Sequence, residues 1–322
     1  MAERTKIAVL GAGTMGAGMA VQYALYGYEV MLYSRTQATL ERAAKTVEKS
    51  CGLFAAEGVF SKDVTDKAMK LITYTDSVEA AVEKAWYVVE TVSERADIKK
   101  ELYQKLDALL PEDIIISSNT SYMNVFELLP ERRQPYSLIA HWYAPAQILP
   151  LVELVKGPET LQSVIDKMTE FHLACGKTPI CMERYIPGFI VNRLQSAMTR
   201  EVLFLLENGY CNAEAIDLAV KTSLMPRGLA VGLVERMDFS GIDTVANGLR
   251  NKSYAPPPAP GEDNLVLKHA EAGELGVKSG KGFYDYSHKP YEEVLNQRDA
   301  QLLKSVKLAK EFMEHPLYKE DK

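Results

Sequence analysis

The stretch KIAVLGAGTMGAGMA, residues 6–20, constrains the fold more than any other part of this sequence. An apolar run breaks into four glycines within eight positions and then turns apolar again. Gly11, Gly13 and Gly16 have the spacing G-x-G-x-x-G, after a strand-like run and at the start of a helix-like one. In that context the first glycine permits a tight turn and the second lets the backbone approach a pyrophosphate. The third lets helix and strand pack closely. The opening helix turn, with Thr14 and Met15, offers unpaired N–H groups and a positive dipole end to phosphates. Glycine-rich turns also arise for packing alone, but the strand–turn–helix–strand order points to a bound dinucleotide.

Further strand-like segments follow at YEVMLYS (28–34), KLITYT (70–75), AWYVVETV (85–92), DIIISSNTS (113–121), SLIAHWYAP (137–145), LPLVELVKG (149–157) and KTPICM (177–182). Helix-compatible sequence lies between most of them, including a long pattern from Thr36 to about Glu57. Such alternation implies a parallel sheet covered on both faces. After YIPGFIVNRL (185–194) the character changes to apolar residues at helical spacing, as at Leu203, Leu206 and Tyr210. YAPPPAPGEDN (254–264) is a proline-rich loop, because proline cannot continue a helix, and a charged helical pattern closes the chain. The expected fold is α/β: a Rossmann-type doubly wound parallel sheet domain over residues 1–186, then an all-helical domain over residues 187–322. A chain of 322 residues is long enough for both.

Composition narrows the classes. Hydrophobic residues at 47% and charged ones at 25% are ordinary for a soluble globular protein. A net charge of −6 argues against nucleic-acid or anionic-membrane partners. No apolar run reaches the ~18 residues of a membrane span, and the N-terminal MAERTK carries no signal-peptide pattern, so a cytoplasmic protein is expected. Cys51, Cys175, Cys181 and Cys211 form no CxxC pair and no metal-like cluster with the histidines, so they are expected as reduced packing thiols and no metal site is expected.

The end of the second strand-like run bears on which dinucleotide binds. An NAD-binding unit usually places Asp or Glu ~20 residues into the motif, accepting hydrogen bonds from the ribose hydroxyls. Here Ser34 and Arg35 occupy that place, with Ser34 lying 23 residues after Gly11. A carboxylate repels a 2′-phosphate, whereas a guanidinium grips one with paired charge-assisted hydrogen bonds. NADP(H) is therefore the expected cofactor, with NAD(H) and a solvated surface arginine as the alternative.

Four later segments carry polar groups at strand ends: SSNTS (117–121), AHWYAP (140–145), LPLVELV (149–155) and PGFIVNRL (187–194). In an open α/β sheet, ligands bind beyond the carboxyl ends of the strands, which favours Ser121 and His141. Histidine exchanges a proton near neutral pH. Glu153, twelve residues on, is of the right type to fix its tautomer and stabilise its charged form.

With these motifs in this order, the sequence resembles the L-3-hydroxyacyl-CoA dehydrogenase family, 3-hydroxybutyryl-CoA dehydrogenases among them, from Lys6 through GKGFYDY (280–286). The resemblance implies that His141 is the base that takes the hydroxyl proton as hydride leaves C3, and that Glu153 orients and charge-balances it. It implies that Ser121 and Asn192 hold the substrate oxygen and position the thioester or carboxylate end. Glu94, Lys99 and Lys278 fall where the family contacts its cofactor, while Pro187 and Gly188 are expected to shape the domain junction. A homodimer is expected, since relatives pair through the helical region.

Three departures bear on substrate and cofactor. The family commonly reads H-x-x-N-P, and Ala144 replaces the asparagine that contacts the nicotinamide side. Ser34-Arg35 replaces the acidic residue. The helical segment 36–68 lacks the dense lysine run used to grip coenzyme A, with Lys45, Lys49, Lys62 and Lys67 scattered there. Meanwhile TSLMPRGLAVGLVERMD (222–238) looks more like the lambda-crystallin or gulonate dehydrogenase branch, with Arg227 suited to a free carboxylate. The leading expectation is oxidation or reduction at C3 of a 3-hydroxyacyl-CoA. The alternatives are a free 3-hydroxy acid of the gulonate or carnitine kind, and a non-catalytic crystallin-like relative. Retention of Ser121, His141, Glu153 and Asn192 together weighs against the last.

Overall fold

The computed structural model describes residues 5–314 and residue 317. The chain divides into two compact units, residues 1–192 and 193–322.

The first unit holds eight strands: β1 (Lys6–Leu10), β2 (Glu29–Tyr33), β3 (Ile72–Thr75), β4 (Tyr87–Glu90), β5 (Ile115–Ser118), β6 (Ser137–Trp142), β7 (Leu151–Lys156) and β8 (Thr178–Met182). Each falls within one of the segments expected as strands. They form one sheet in the order β3-β2-β1-β4-β5-β6-β7-β8. The neighbours from β3 through β6 are all parallel. Central strands are buried on both faces, which is why β1, β4 and β6 read as continuous apolar runs.

Helices α1 (Thr14–Leu25), α2 (Gln37–Ala56), α3 (Lys62–Lys70), α4 (Val78–Val82), α5 (Ala96–Leu109) and α6 (Gln162–Ala174) cover the sheet. The side chains of Thr36, Ser61 and Ser77 cap α2, α3 and α4 by accepting a backbone N–H three residues on. Helix α1 is buried from Gly16 to Leu25, so its sequence is apolar nearly all round rather than on one stripe.

One pairing departs from the expected all-parallel sheet. Strands β6 and β7 are antiparallel. Only residues 143–150 connect them, too few for the crossover of a dozen or more residues that a parallel pair requires. Helix α6 then supplies such a crossover, and β8 runs parallel to β7.

Helix α7 (Val191–Glu207) begins in the first unit and continues into the second. The second unit is helical: α8 (Ala213–Ala219), a π-helical turn (Val220–Leu224), α9 (Met225–Val231), α10 (Glu235–Ser240), α11 (Ile242–Arg250), α12 (Leu265–Glu271) and α13 (Tyr291–Glu314). Residues 254–264, expected as a loop, carry no helix or strand. Among the described residues, no helix is long and apolar enough to cross a membrane.

Candidate active site

The strand order reverses between β1 and β4, and the glycine loop lies at the carboxyl end of β1. Gly11 has φ +124°, a conformation that a side chain would strain, and a Cβ there would run into the Thr91 carbonyl. A Cβ on Gly16 would strike the Gly11 carbonyl. Gly13 differs: a Cβ there would meet nothing within 4 Å, so packing does not demand this glycine. The space beside it is a cleft of about 460 Å³ lined by Gly13, Thr14, Met15, Thr91, Glu94 and Ser121 among others. Its walls come from the carboxyl ends of β1, β4 and β5, the crevice in which doubly wound sheets bind ligands. An open cradle at Gly13 facing a helix N-terminus fits a dinucleotide pyrophosphate. The fourth glycine of the stretch, Gly18, has another purpose: a Cβ there would lie 2.5 Å from Gln147 Oε1 and 3.0 Å from the Ala146 side chain.

Ser34 and Arg35 follow β2. The Ser34 N–H bonds the Thr75 carbonyl at 3.1 Å, and Arg35 is exposed.

The antiparallel pairing of β6 and β7 puts His141 directly opposite Glu153 in register. Nδ1 of His141 lies 2.9 Å from Glu153 Oε2, and Nε2 lies 3.2 Å from Ser121 Oγ. Both members of the pair are buried, at 3% and 0% exposure. Burial alone pushes the Glu153 carboxyl up. Hydrogen bonds from His141, Tyr143 and the N–H groups of Val191 and Ile190 more than reverse this, and hold it below the usual carboxylate range. An ionised carboxylate only accepts, so Nδ1 carries a proton toward Glu153, and Nε2 is the ring nitrogen that faces the Ser121 hydroxyl.

The His141 ring is held on two sides, by Tyr143 with centroids 4.6 Å apart and by Phe189 at 5.1 Å. Phe189 is buried and has φ +48°, a region that costs a bulky residue about 1–3 kcal/mol and that the surrounding packing must enforce. Asn192 lies one residue past Val191, whose N–H bonds Glu153 Oε1 at 3.1 Å. The structure therefore brings Ser121, His141 and Glu153 into one hydrogen-bonded chain, with Asn192 one residue from it.

Glu94 lines the cleft and also pins the loop that carries Ser121. Its Oε1 accepts from the Thr120 hydroxyl, the Ser121 N–H at 3.1 Å and the Tyr122 N–H at 3.4 Å. Burial pushes this carboxyl up, but those donors and Lys99 bring it below its ordinary value.

Lys99, expected as a cofactor contact, is 1% exposed, with Nζ 2.7 Å from Glu90 Oε1 and 3.2 Å from Glu94 Oε2. Glu90 is itself fully buried and accepts from Tyr103, Ser118 and the Val92 N–H. Lys99 thus pairs with two carboxylates, since a buried carboxylate without a cation is costly, and one of them, Glu94, lines the cleft. Its helical spacing in α5 resembled a solvated face, and nothing local distinguishes the buried lysine from Lys100.

Arg227 and Lys278 both belong to the second unit and are exposed. Arg227 Nε donates to the Ser223 carbonyl one helical turn back, at 3.2 Å. Lys278 sits in the turn Val277–Ser279. Tyr143, Phe189, Thr91 and Glu90 were not singled out from the sequence. Neither their types nor their spacing gives a local sign that they face a site, although Tyr143 lies inside the AHWYAP segment.

The chain matches known proteins along most of its length. Residues 6–185 match the family model for the 3-hydroxyacyl-CoA dehydrogenase NAD binding domain, and residues 188–286 match that for the 3-hydroxyacyl-CoA dehydrogenase C-terminal domain. The chain is 31% identical over 289 residues to a 3-hydroxybutyryl-CoA dehydrogenase of Bradyrhizobium diazoefficiens, covering 87% of this chain and 95% of that one. It is 27% identical over 305 residues to a 5-formyl-3-hydroxy-2-methylpyridine 4-carboxylate 5-dehydrogenase of Mesorhizobium japonicum, covering 92% and 96%. A crystal structure of a dehydrogenase of that pyridine compound, described as an NAD+-dependent dismutase, superposes with TM-score 0.84 at 26% identity, covering 96% of this chain and 99% of the other. With both domain models matched along most of its length, the chain belongs to the 3-hydroxyacyl-CoA dehydrogenase family.

Proposed function

We propose that this protein interconverts the hydroxyl and ketone at C3 of a 3-hydroxyacyl-CoA with NADP(H). The observation that carries this reading is the chain Ser121 Oγ, His141 Nε2, His141 Nδ1 and Glu153 Oε2, ending beside the cleft. His141 takes the hydroxyl proton at Nε2 during oxidation and returns it during reduction. Glu153 keeps the other nitrogen protonated and balances the imidazolium charge. Ser121, with Asn192, holds the substrate oxygen. A nicotinamide supplies the hydride acceptor or donor when bound. Gly11, Gly13, Thr14, Met15 and Gly16 hold its pyrophosphate, with Glu94, Lys99 and Lys278 as further contacts. Ser34 and Arg35 take the 2′-phosphate, and this exposed guanidinium supports NADP(H) over NAD(H). Residues 1–186 bind the dinucleotide, and residues 187–322 serve substrate binding and dimerisation. Large apolar side chains stand exposed in the second unit, including Leu218, Val234, Phe239 and Leu249, and support a homodimer.

A second reading, in which the substrate is a free carboxylate, is supported by two observations. The pyridine carboxylate dehydrogenase matches nearly end to end. Arg227 is exposed, and a guanidinium suits a free carboxylate.

Turnover of acetoacetyl-CoA and of a free 3-oxo acid, each with NADPH and with NADH, tests both. NADPH oxidation with the thioester, lost in His141→Ala, is the expected result. Turnover of the free acid alone would transfer the function to the second reading, and undiminished turnover in His141→Ala would overturn the proton-transfer role.

A further inference from the structure

Glu153 accepts four hydrogen bonds, and they divide unequally in character. Oε1 takes the N–H groups of Ile190 at 2.9 Å and Val191 at 3.1 Å, both fixed by the backbone. Oε2 takes His141 Nδ1 at 2.9 Å and the Tyr143 hydroxyl at 2.6 Å. The imidazole and the phenol therefore share one carboxylate oxygen. The Tyr143 ring also stands edge-on to the His141 ring, with an interplanar angle of 70°.

We propose that Tyr143 is a positioning residue, whose hydroxyl competes with His141 for Glu153 Oε2 and so sets how firmly the carboxylate holds the imidazole. An O–H donor to a carboxylate makes a short, charge-assisted bond. It draws charge toward itself on the shared oxygen, so the second donor meets less negative charge there and its bond is weaker. It also pins the carboxylate plane from the Oε2 side while the two N–H groups pin Oε1. The acceptor opposite Nδ1 then cannot swing as Nε2 gains or loses a proton. The titratable and charged groups around the imidazole are Glu153 on β7, Tyr143 at the exit of β6 and Ser121 at the exit of β5, with Glu94 and Tyr122 beyond Ser121. Of these, Tyr143 alone shares Oε2 with His141. Burial and the Glu153 charge push the Tyr143 phenol well above its ordinary value, so it remains a donor across the working range.

The kinetic consequence rests on the proposed proton-transfer role of His141, whereas the shared oxygen does not, and the test separates them. The probe is the downfield proton resonance of His141 Nδ1–H in the full-length protein without substrate, assigned by its loss in His141→Gln. Tyr143→Phe keeps the ring and removes the competing donor, so the resonance moves further downfield. Uniform incorporation of 3-fluorotyrosine makes the phenol a stronger donor and moves the same resonance upfield, which serves if the substituted chain folds poorly. A resonance that moves in neither sample overturns the proposal. In turnover, Tyr143→Phe lowers kcat about ten-fold, the equivalent of one hydrogen bond, with KM little changed. A kcat at the wild-type level overturns the kinetic part. A shifted resonance in a protein that turns over none of the test substrates leaves the positioning role standing and removes the proposed function.

Discussion

His141 and Glu153 are direct cross-strand partners in the antiparallel β6–β7 pair, with Nδ1 and Oε2 2.9 Å apart. In a sheet, successive side chains alternate faces, so a slip of one residue would send Glu153 to the opposite side from His141. The flanking residues Val152 and Leu154 are fully buried on the other face, and they lock the register that makes the pair. The site's central contact is thus secured by core packing.

Glu153→Gln tests that coupling. The amide keeps an oxygen for the Ile190 and Val191 N–H groups but presents an N–H to the two donors at Oε2. Turnover falls by about 100-fold or more, in line with loss of positioned acid–base catalysis. Stability falls by roughly 1–3 kcal/mol at pH 7, as for a buried donor left unpaired. The Glu153 carboxyl is held low in the native state, so its contribution is present above about pH 4.3 and disappears as pH falls further. The stability difference between wild type and variant, measured by urea denaturation, therefore narrows in acid.

The glycines separate packing from binding. Gly16→Ala places a methyl against the Gly11 carbonyl and lowers the thermal midpoint or abolishes soluble expression. Gly13→Ala meets nothing within 4 Å, leaves the midpoint within about 2 °C, and weakens dinucleotide binding measured by calorimetry. Equal affinity in Gly13→Ala and wild type would remove the cleft at Gly13 as the pyrophosphate site.

Arg35 tests the proposed preference for NADP(H). Arg35→Ala raises KM for NADPH by about 10- to 100-fold while changing that for NADH by less than about two-fold, since a guanidinium–phosphate pair contributes about 1.5–3 kcal/mol. Parallel changes for both cofactors would place Arg35 outside the adenosine site.

His172 makes stability depend on pH away from the site. Its Nδ1 bonds the Met168 carbonyl at 2.6 Å, the ring is fully buried, and burial pushes its ionisation down to about 4. The unfolded chain takes up this proton near pH 6.5 and the folded one does not. The favourable term is therefore complete above about pH 6.5 and is lost as pH falls toward and through 4, to a total of roughly 3 kcal/mol. His172→Gln flattens that part of the profile of denaturation midpoint against pH, whatever its cost at neutral pH.

Much of this protein is written in short-range pattern. The eight strands, the capping threonine and serines, the glycine loop and the polar strand ends are legible because each depends on neighbouring residues: apolar runs buried on both faces, backbone angles that only glycine tolerates, helices that need a cap. Ser121, His141 and Glu153 are legible for the same reason, as polar residues ending or interrupting apolar runs. Other features depend on segments distant along the chain. The antiparallel turn of β7 places Glu153 opposite His141, the buried Glu90 pairs with Lys99, and the Glu94 carboxylate holds the Ser121 loop from 27 residues away. Tyr143 is of this kind too, since only the folded sheet brings its hydroxyl to the oxygen that His141 uses. Local sequence specifies which backbone shapes and buried faces are possible. Which charges end up paired is decided by strand register and helix packing, where desolvation makes an unpaired group too costly to keep.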